Sequence, residues 1–397
     1  MKKNKSVKLH HRVLASFVRL VSFVYTRAVL GYRCKDKYKF RRGESVIVLS
    51  NHQTDADPFC ILTSFKKAVF PVATDSIFSG KGKGAFLKYC GLIPKKKGSV
   101  DLRATRMMKN TLAGGGSLLL FPEGNRFYAE FQYYVSPSLA TFIKRSGATV
   151  VLFNLHGGSG VFPRFAAKRR KGKFFGEIRR VIRPEEYDKM SSEQLFDEIM
   201  QGIKVFDSDS GEKYRSKRRA EYAERMFFVC PRCGKMQTIY SSKHEIFCKH
   251  CGKLAEYTED LHLKGEDGFP FTRLVEWWQF QKKAVREMPV VDGGEIFVDD
   301  GVKAFLFDPF EKRRLLAKDR LTLTASSLRC GDFELPLSTV TGASVVSGKK
   351  LTLTADGHDF LFVGDDKFNP LKYVFAFNKL DTQMRLDGSD KHFNLED

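Results

Sequence analysis

The sequence lacks an uninterrupted apolar run that could cross a membrane. Its most apolar early segment, residues 9–31, is broken by Arg12, Arg19 and Arg27, whereas a spanning helix needs roughly 18 or more residues with few charges. No small-residue cleavage site follows the segment, as a secretory signal peptide would require. We therefore expect neither a membrane-spanning helix nor a signal peptide there.

Acidic residues are scarce at the start of the chain. Residues 1–50 hold 13 Lys and Arg against 2 Asp and Glu, which gives +11 of the formal net charge of +22. Residues 288–397 hold 14 basic and 18 acidic side chains, which gives −4. This uneven distribution predicts an anionic partner for the front of the chain, which could be nucleic acid, anionic lipid or a phosphorylated substrate.

Residues 9–31 have the pattern of an amphipathic helix that lies in a membrane interface. Apolar residues recur at helical spacing with basic residues around them, at Val13, Phe17, Leu20, Phe23 and Val24. Such a helix binds at the boundary between lipid headgroups and acyl chains. We expect residues 1–44 to form a basic membrane-interface segment, and packing of the helix on its own domain is the alternative.

Cysteine is too sparse for a disulfide framework. Of eight cysteines, four are scattered and four form two C-x2-C pairs separated by 14 residues: Cys230, Cys233, Cys248 and Cys251. Four thiolates at this spacing fill the tetrahedral shell of a structural zinc ion. Residues 226–262 are therefore predicted to be a zinc ribbon in a reducing compartment, with redox-active or free thiols as the alternative.

Strand-length apolar runs alternate with helical stretches between residues 45 and 182, which predicts an α/β domain. The strands are expected at residues 45–50, 68–73, 91–96, 117–124 and 149–155. Asp57 and Ser136 each precede a proline and are predicted N-caps. Functional groups in such sheets gather beyond the carboxyl ends of strands, where His52 and Glu123 fall.

The rest of the chain divides into segments that differ in charge and in the spacing of apolar residues. Residues 185–225 are charged and predicted to be helical, completing a first domain of residues 45–225, and residues 263–290 are predicted to be a helical connector. In residues 291–397, alternating runs and turn pairs such as Asp300–Gly301 and Asp356–Gly357 predict an antiparallel sheet or small barrel. A helix at residues 370–380 closes it, and the pattern resembles a pleckstrin-homology-like barrel.

The stretch LSNHQTDADPF, residues 49–59, places a histidine and two aspartates after the first strand. Five residues turn about 140° beyond a full circle of helix, so His52 and Asp57 can cooperate only if His52 lies in the turn before the helix. Asp57 would then orient one ring nitrogen while the other removes a proton from an alcohol. The alternative is a helix cap beside a surface histidine. Asp55 is left out of the catalytic set.

No covalent nucleophile is evident. The G-x-S-x-G elbow of serine hydrolases does not occur. Cys60 and Cys90 lie in apolar runs that are typical of inert core cysteines. This leaves the histidine–aspartate pair as the candidate catalytic group.

Two further segments follow strands and could contact a substrate. In LLLFPEGNRF, residues 118–127, Glu123 could hold a hydroxyl and Arg126 a phosphate through its planar fork. In CGLIPKKKGS, residues 90–99, three consecutive lysines could clamp a phosphate. The alternatives are a surface salt bridge across a turn and a solvated charge run.

Together these segments resemble the 1-acylglycerol-3-phosphate O-acyltransferases, a family of glycerolipid acyltransferases. The family motif N-H-x4-D is matched by Asn51, His52 and Asp57, and F-P-E-G-[TN]-R is matched throughout by residues 121–126. The resemblance covers roughly residues 10–205, and it implies the glycerolipid-acyltransferase-like α/β fold.

Two other family motifs are matched less well. In the second motif Gly91 and Ile93 agree, Pro94 replaces an aromatic residue, and Lys97 stands where arginine is expected. Lysine keeps the charge but loses the bidentate geometry. The fourth motif lacks its prolines, since ATVVLFNLHGG has other residues in their places.

The resemblance implies transfer of a fatty acyl group from acyl-CoA or acyl carrier protein to the 2-hydroxyl of lysophosphatidic acid, giving phosphatidic acid. In this interpretation His52 is the general base and Asp57 orients it. The implied substrate-binding residues are Asn51, Glu123, Gly124, Arg126 and Lys97. Another lysophospholipid or glycerol-3-phosphate is the alternative acceptor.

Outside enzymes, the alternative is a zinc ribbon protein that binds membranes or nucleic acid. Nucleic acid is not the expected partner, because the basic surplus lies at the N-terminus and in residues 167–173, outside the ribbon. We expect a peripheral protein on the cytoplasmic face of the cell membrane, with membrane lipids, lysophosphatidic acid and an acyl-donor carrier as partners.

Overall fold

The computed structural model describes residues 9–78, 82–95, 101–126, 128–130, 134–266, 268–291, 293–307, 313–346 and 348–385. The described chain divides into two compact units. Unit 1 runs to Pro163 and then comprises Gly172–Glu212, and unit 2 comprises Arg164–Lys171 and the residues from Lys213 onward.

Unit 1 is an α/β unit. Its strands are β1 (Arg33–Cys34), β2 (Val46–Ser50), β3 (Val69–Thr74), β4 (Ile93–Lys95), β5 (Ser117–Leu120), β6 (Thr149–His156) and β7 (Phe175–Ile182). Its helices are α1 (Leu9–Val24), α2 (Asp57–Ser64), α3 (Lys83–Tyr89), α4 (Leu102–Ala113), α5 (Ser138–Ser146), α6 (Gly158–Val161), α7 (Pro184–Tyr187) and α8 (Ser192–Gly202).

The seven strands form one sheet in the order β1-β7-β6-β2-β5-β3-β4. All neighbours pair in parallel except β6 and β7, which are antiparallel. Strand β2 is buried along its whole length, as expected for a parallel strand covered on both faces. The predicted α/β architecture is confirmed, and β2 directs the residues that follow it toward the carboxyl edge of the sheet.

The predicted N-caps are wrong. Helix α2 is preceded by Ala56 at its N-cap, without a side-chain cap, so Asp57 is the first helical residue. Helix α5 has Pro137 at its N-cap, one residue after the predicted Ser136. Other helices are capped by side chains: Asp101 accepts a hydrogen bond from the Ala104 N–H at 2.9 Å, and Ser191 accepts one from the Gln194 N–H at 3.1 Å.

The predicted helical stretch 185–225 is only partly helical. Helices α7 and α8 account for its first part, and beyond Gly202 only short single turns occur. A Cβ at Gly202 would lie 2.2 Å from Leu152 Cδ1, so a larger residue where α8 ends against β6 would have to displace this buried side chain. The basic residues 213–219 that follow have no apolar stripe to hold a helix against a core.

The described part of unit 2 contains two antiparallel sheets and two α-helices. The strands of the smaller sheet are β8 (Ile239–Ser242), β9 (Glu245–Cys248), β10 (Gly252–Tyr257) and β11 (Leu263–Gly265). Those of the larger sheet are β12 (Phe297–Phe307), β13 (Arg314–Leu323), β14 (Ser327–Cys330), β15 (Phe333–Pro336), β16 (Val340–Val346), β17 (Lys350–Ala355) and β18 (His358–Val363). The helices are α9 (Leu274–Glu287) and α10 (Pro370–Arg385).

The larger sheet has the order β15-β14-β13-β12-β18-β17-β16. Asp356 and Gly357 form the tight turn between β17 and β18, as predicted, because both have positive φ. The predicted turn at Asp300–Gly301 is wrong. Gly301 has φ +67°, but β12 continues through it with a register shift between Asp299 and Val302, so this pair makes a bulge inside one strand.

Helix α9 holds the chain segment that leads into the cysteine group. Its fully buried Trp277 donates a hydrogen bond from the indole N–H to the Val229 carbonyl at 2.9 Å. The indole also stacks on the ring of Phe227, with the ring centroids 4.2 Å apart. Gln281 donates to the Met226 carbonyl at 2.8 Å. The residue after Val229 is Cys230, so the helix fixes the approach to the first cysteine.

No helix among the described residues is both long and apolar enough to cross a membrane. Helix α1 is amphipathic as predicted: Val13, Phe17 and Leu20 are each more than 60% exposed. Arg19 donates to the carbonyl of Phe65, after the end of α2, at 3.0 Å. The helix therefore packs on its own unit by one face and leaves an apolar face uncovered by the described chain.

Candidate active site and cysteine cluster

The loop between β2 and α2 brings the predicted pair together. His52 Nδ1 lies 2.8 Å from Asp57 Oδ2. The Asp57 side chain is fully buried, whereas that of His52 is 19% exposed. Since an ionised carboxylate only accepts hydrogen bonds, the Nδ1–H donates and Nε2 is left as the basic nitrogen. The catalytic role of this pair stays a prediction, and its geometry is the one that role requires.

Asp57 also closes the loop that carries the histidine. Its Oδ2 accepts hydrogen bonds from the N–H groups of Gln53 at 2.5 Å and Thr54 at 2.8 Å, and its Oδ1 accepts from the Thr54 hydroxyl at 2.6 Å. These donors precede the helix, so the carboxylate faces back onto the loop and does not cap α2. Together with His52 they hold the carboxylate in one orientation.

The ring of His52 is fixed on a second side by Phe121. The two rings are stacked with centroids 4.1 Å apart and an angle of 19° between their planes. Phe121 is the first residue of the FPEGNR motif and follows β5, the parallel neighbour of β2. Sequence reasoning used Phe121 only as a motif match; its aromatic character at a strand end was the available signal.

Asn51 anchors the same loop to the next strand. Its side-chain amide donates to the Leu155 carbonyl at 2.8 Å, and its amide oxygen accepts from the Leu155 N–H at 2.8 Å. The residue is fully buried. These contacts favour a positioning role for Asn51, and direct contact with substrate stays a prediction.

The other residues of the FPEGNR motif lie beyond β5. Glu123 is buried, with 5% of its surface exposed. Gly124 has φ +66°, a conformation that glycine adopts without strain. The side chain of Arg126 is 12% exposed and contacts Asp55 Oδ2 through Nη1 at 2.9 Å, while Asp55 is 73% exposed. Asp55, set aside in the sequence analysis, is thus a partner of the predicted phosphate ligand.

Other candidates are placed less fully. Lys97 lies outside the described residues. Cys60 and Cys90 are buried, and burial raises the pKa of both thiols above the ordinary range. Neither cysteine is therefore suited to be a thiolate nucleophile.

A buried carboxylate pair adjoins the histidine loop and was missed by sequence reasoning. Asp207 Oδ2 accepts hydrogen bonds from Gln53 Nε2 at 3.1 Å and from the Ser159 hydroxyl at 2.6 Å. Glu130 Oε1 accepts from the backbone N–H of Asp207 at 2.7 Å. Burial first, and then the charge of Asp207, raises the pKa of Glu130 to about 7, and burial also raises the pKa of Asp207. These residues are distant in sequence and share no motif.

The four predicted zinc ligands converge in unit 2. Their sulfur atoms all lie within 4.8 Å of one another, with Cys230 and Cys251 at 3.8 Å and Cys233 and Cys248 at 3.9 Å. In a tetrahedral site with Zn–S bonds of about 2.3 Å the sulfur atoms are roughly 3.8 Å apart. The cluster therefore fits a zinc ion with four thiolate ligands.

Hydrogen bonding already favours a thiolate at one of these positions. Although burial opposes it, contacts from the Thr238 hydroxyl and the His250 backbone N–H lower the pKa of the Cys248 thiol to about 6. Burial raises the pKa of Cys230 to about 12. A thiolate is the form that binds zinc.

The first part of the chain is similar to a known protein family. Residues 31–155 match the family model described as Acyltransferase. No curated protein matches the sequence.

Two solved structures align with parts of the chain at low similarity. The lysophosphatidic acid acyltransferase PlsC of Thermotoga maritima is 18% identical, with a TM-score of 0.38, over 49% of this chain and 88% of its own. The N-terminal PH domain of human ARAP2 is 16% identical, with a TM-score of 0.19, over 25% of this chain and 92% of its own.

Proposed function

We propose that the protein transfers a fatty acyl group from a thioester, acyl-CoA or acyl carrier protein, to the 2-hydroxyl of lysophosphatidic acid, because residues 31–155 match the Acyltransferase family model and the motifs of the sequence resemble those of the glycerolipid acyltransferases. The observation that carries the proposal is the His52–Asp57 hydrogen bond of 2.8 Å at the carboxyl end of β2. Phe121 stacks on the ring and ties the base to the FPEGNR segment.

In the proposed reaction, His52 Nε2 takes the proton of the acceptor hydroxyl. The hydroxyl oxygen attacks the thioester carbonyl carbon and the C–S bond breaks. The imidazolium then transfers its proton to the leaving thiolate, which regenerates the neutral base. Asp57 stabilises that imidazolium and fixes the tautomer. An ester and a free thiol are formed, and no acyl-enzyme is required.

Acceptor binding is assigned to the segment after β5. Arg126 is a mostly buried guanidinium, and its planar fork suits a phosphate. Glu123 is buried a few residues before it and is proposed to hold a glycerol oxygen. A phosphate contact by Lys97 remains part of the proposal.

The other parts of the proposal concern location and architecture. The exposed apolar face of α1 supports a peripheral position on a membrane, where both the acceptor and the product dissolve. The sulfur distances of the cysteine cluster support a zinc ribbon, in which the ion would cross-link the chain and take no part in acyl transfer. Seven antiparallel strands followed by one helix support a pleckstrin-homology-like C-terminal domain.

The decisive experiment is acyl transfer by the purified protein with a panel of lysolipids, glycerol-3-phosphate and both thioester donors. We expect lysophosphatidic acid to be the best acceptor. His52→Ala should lower kcat by about 10²–10⁴-fold, the usual contribution of a general base. Wild-type turnover by His52→Ala would contradict the mechanism, and a different best acceptor would contradict the assigned substrate while leaving the mechanism intact.

A further inference from the structure

Unit 2 has a strongly basic surface that the proposed reaction does not use. Residues 164–171 contain five Lys and Arg and no acid, and residues 213–219 contain the same number, also without an acid. The two runs are more than 40 residues apart in sequence. The structure joins them, because Lys171 and Arg215 form an antiparallel bridge with backbone N···O distances of 3.0 and 2.7 Å.

We define the basic patch as the exposed side chains of these two runs. They are Lys168, Arg169, Lys171, Lys213, Arg215, Lys217 and Arg218. Arg218 contacts Glu221 at 2.9 Å, and Arg215 is 4.0 Å from Glu259. Within the described chain, Lys168, Lys171, Lys213 and Lys217 have no acidic group within 4.0 Å. The patch therefore carries a concentrated positive charge that its own surroundings neutralise only in part.

Contacts of Arg170 and Arg219 hold the backbone of the basic patch in place. Arg170 is 4% exposed, lies over the ring of Tyr257 at 4.9 Å, and donates to the Arg219 carbonyl of the other run. Arg219 in turn contacts Glu256 at 2.8 Å. The buried Arg170 and the partly buried Arg219 thus hold the backbone of both runs, so the exposed charges are presented from a fixed scaffold.

We infer that the basic patch binds the surface of a membrane that contains anionic lipid. Such a membrane is a diffuse negative surface, which a protein can bind through charge alone. Each basic residue near the surface increases the binding constant about fivefold. This contact is separate from the apolar face of α1, and it does not depend on the proposed acyl transfer.

The surroundings of the patch argue against nucleic acid as its partner. Binding of single strands uses exposed aromatic rings on which bases stack, but Phe165, Tyr214 and Tyr257 are each no more than 2% exposed. Reading of a duplex uses a helix or ribbon placed in a groove. The two runs are joined by a single bridge and lie outside the helices and strands of unit 2.

The test uses the full-length protein and vesicle co-sedimentation without an acyl donor. The patch variant carries Lys→Gln at positions 168, 171, 213 and 217. The matched control carries Lys→Gln at four other exposed positions of unit 2, namely 264, 303, 318 and 367, so both variants have the same net charge. Vesicles of phosphatidylcholine are compared with vesicles that also contain phosphatidylglycerol.

We expect the patch variant to bind the anionic vesicles at least about tenfold more weakly than the control, since four charges are removed from the surface. Binding to phosphatidylcholine vesicles should be equal. A second variant with Lys→Arg at the four patch positions should bind like the wild type, which separates loss of charge from loss of fold. High salt should remove the difference.

Equal binding of patch and control variants to anionic vesicles would overturn the inference. So would a patch variant that keeps its vesicle binding but loses binding to a single-stranded oligonucleotide, since the patch would then be a nucleic-acid surface. Neither result bears on acyl transfer, which is measured with detergent-dispersed acceptor.

Discussion

At the scale of single residues, the most informative contact is the one between Asp55 and Arg126. The exposed carboxylate of Asp55, in the histidine loop, forms an ion pair with the largely buried guanidinium of Arg126. This guanidinium is the group proposed to bind the acceptor phosphate. Asp55 lies two residues before Asp57, so binding of the phosphate and the conformation of the histidine loop are connected. The phosphate would have to share or replace this contact.

Asp55→Asn should lower KM for a phosphorylated acceptor and leave kcat near the wild-type value. The change removes a competing negative charge, and an exposed ion pair is worth up to about 1 kcal/mol, or roughly fivefold. Steady-state kinetics with lysophosphatidic acid and with the uncharged monoacylglycerol make the comparison, and KM for the latter should not change. A higher KM for the phosphorylated acceptor would mean that Asp55 helps to position Arg126.

Glu130 gives a pH-dependent prediction. Its pKa in the folded protein is about 7, above the ordinary range of a carboxyl group, so the folded state binds more protons than the unfolded state between about pH 4.5 and 7. The contribution of Glu130 to stability is therefore present below that window and is lost as the pH rises through 7. The loss amounts to up to about 3 kcal/mol.

Glu130→Gln should flatten this dependence. Unit 1 contains no tryptophan, so the measurement is amide hydrogen exchange of peptides from β6 at pH 5 and pH 7.5. Protection should fall between these values in the wild type, after correction for intrinsic exchange, and change less in the variant. A variant with the wild-type slope would show that the titrating group lies elsewhere.

At the scale of elements, α1 and its exposed apolar face can be tested with a matched pair of variants. Val13→Ser, Phe17→Ser and Leu20→Ser together remove three apolar side chains from the proposed interface. Leu102→Ser, Val291→Ser and Leu315→Ser remove three that are equally exposed or nearly so. The first variant should leave the membrane pellet and the second should stay in it, because binding scales with apolar area buried in the interface.

The cysteine cluster predicts about one zinc per chain by elemental analysis. Cys230→Ser should lose most of the metal, because three ligands bind zinc less tightly than four. Cys34→Ser changes a cysteine of intermediate exposure outside the cluster and serves as the control. Full zinc occupancy in Cys230→Ser would count against a four-thiolate site.

Elements with a distinctive local sequence pattern could be predicted, and elements whose pattern fits two structures could not. Buried strands such as β2 have continuous apolar runs, and the spacing of the cysteines is independent of the rest of the fold. The pair Asp300–Gly301 was wrongly predicted to be a hairpin turn. A bulge and a hairpin turn can both need a glycine with positive φ, and only the pairing with the partner strand distinguishes them. Asp57 was wrongly predicted to be an N-cap for a similar reason. Its position before Pro58 is typical of a cap, but its carboxylate accepts hydrogen bonds from the histidine loop and none from the first turn of α2.

At the scale of the whole molecule, sequence reasoning located the motifs but not the contacts between distant segments. The stacking of Phe121 on His52, the link from Gln53 to Asp207, and the bridge between Lys171 and Arg215 each join residues that no local pattern connects. Such contacts arise from the order of strands and the path of loops, which a single sequence does not encode at short range. Residues 213–219, predicted to continue the first domain as a helix, belong to unit 2.

The position of Trp277 gives the protein an internal optical probe. Both tryptophans lie in α9, and the indole of Trp277 is hydrogen-bonded to Val229, the residue next to the first predicted zinc ligand. Intrinsic fluorescence excited at the indole band will therefore report on the cysteine cluster without any label. Titration with a chelator can be followed in the same cuvette as a salt or lipid titration, and the signal from unit 1 will not obscure it.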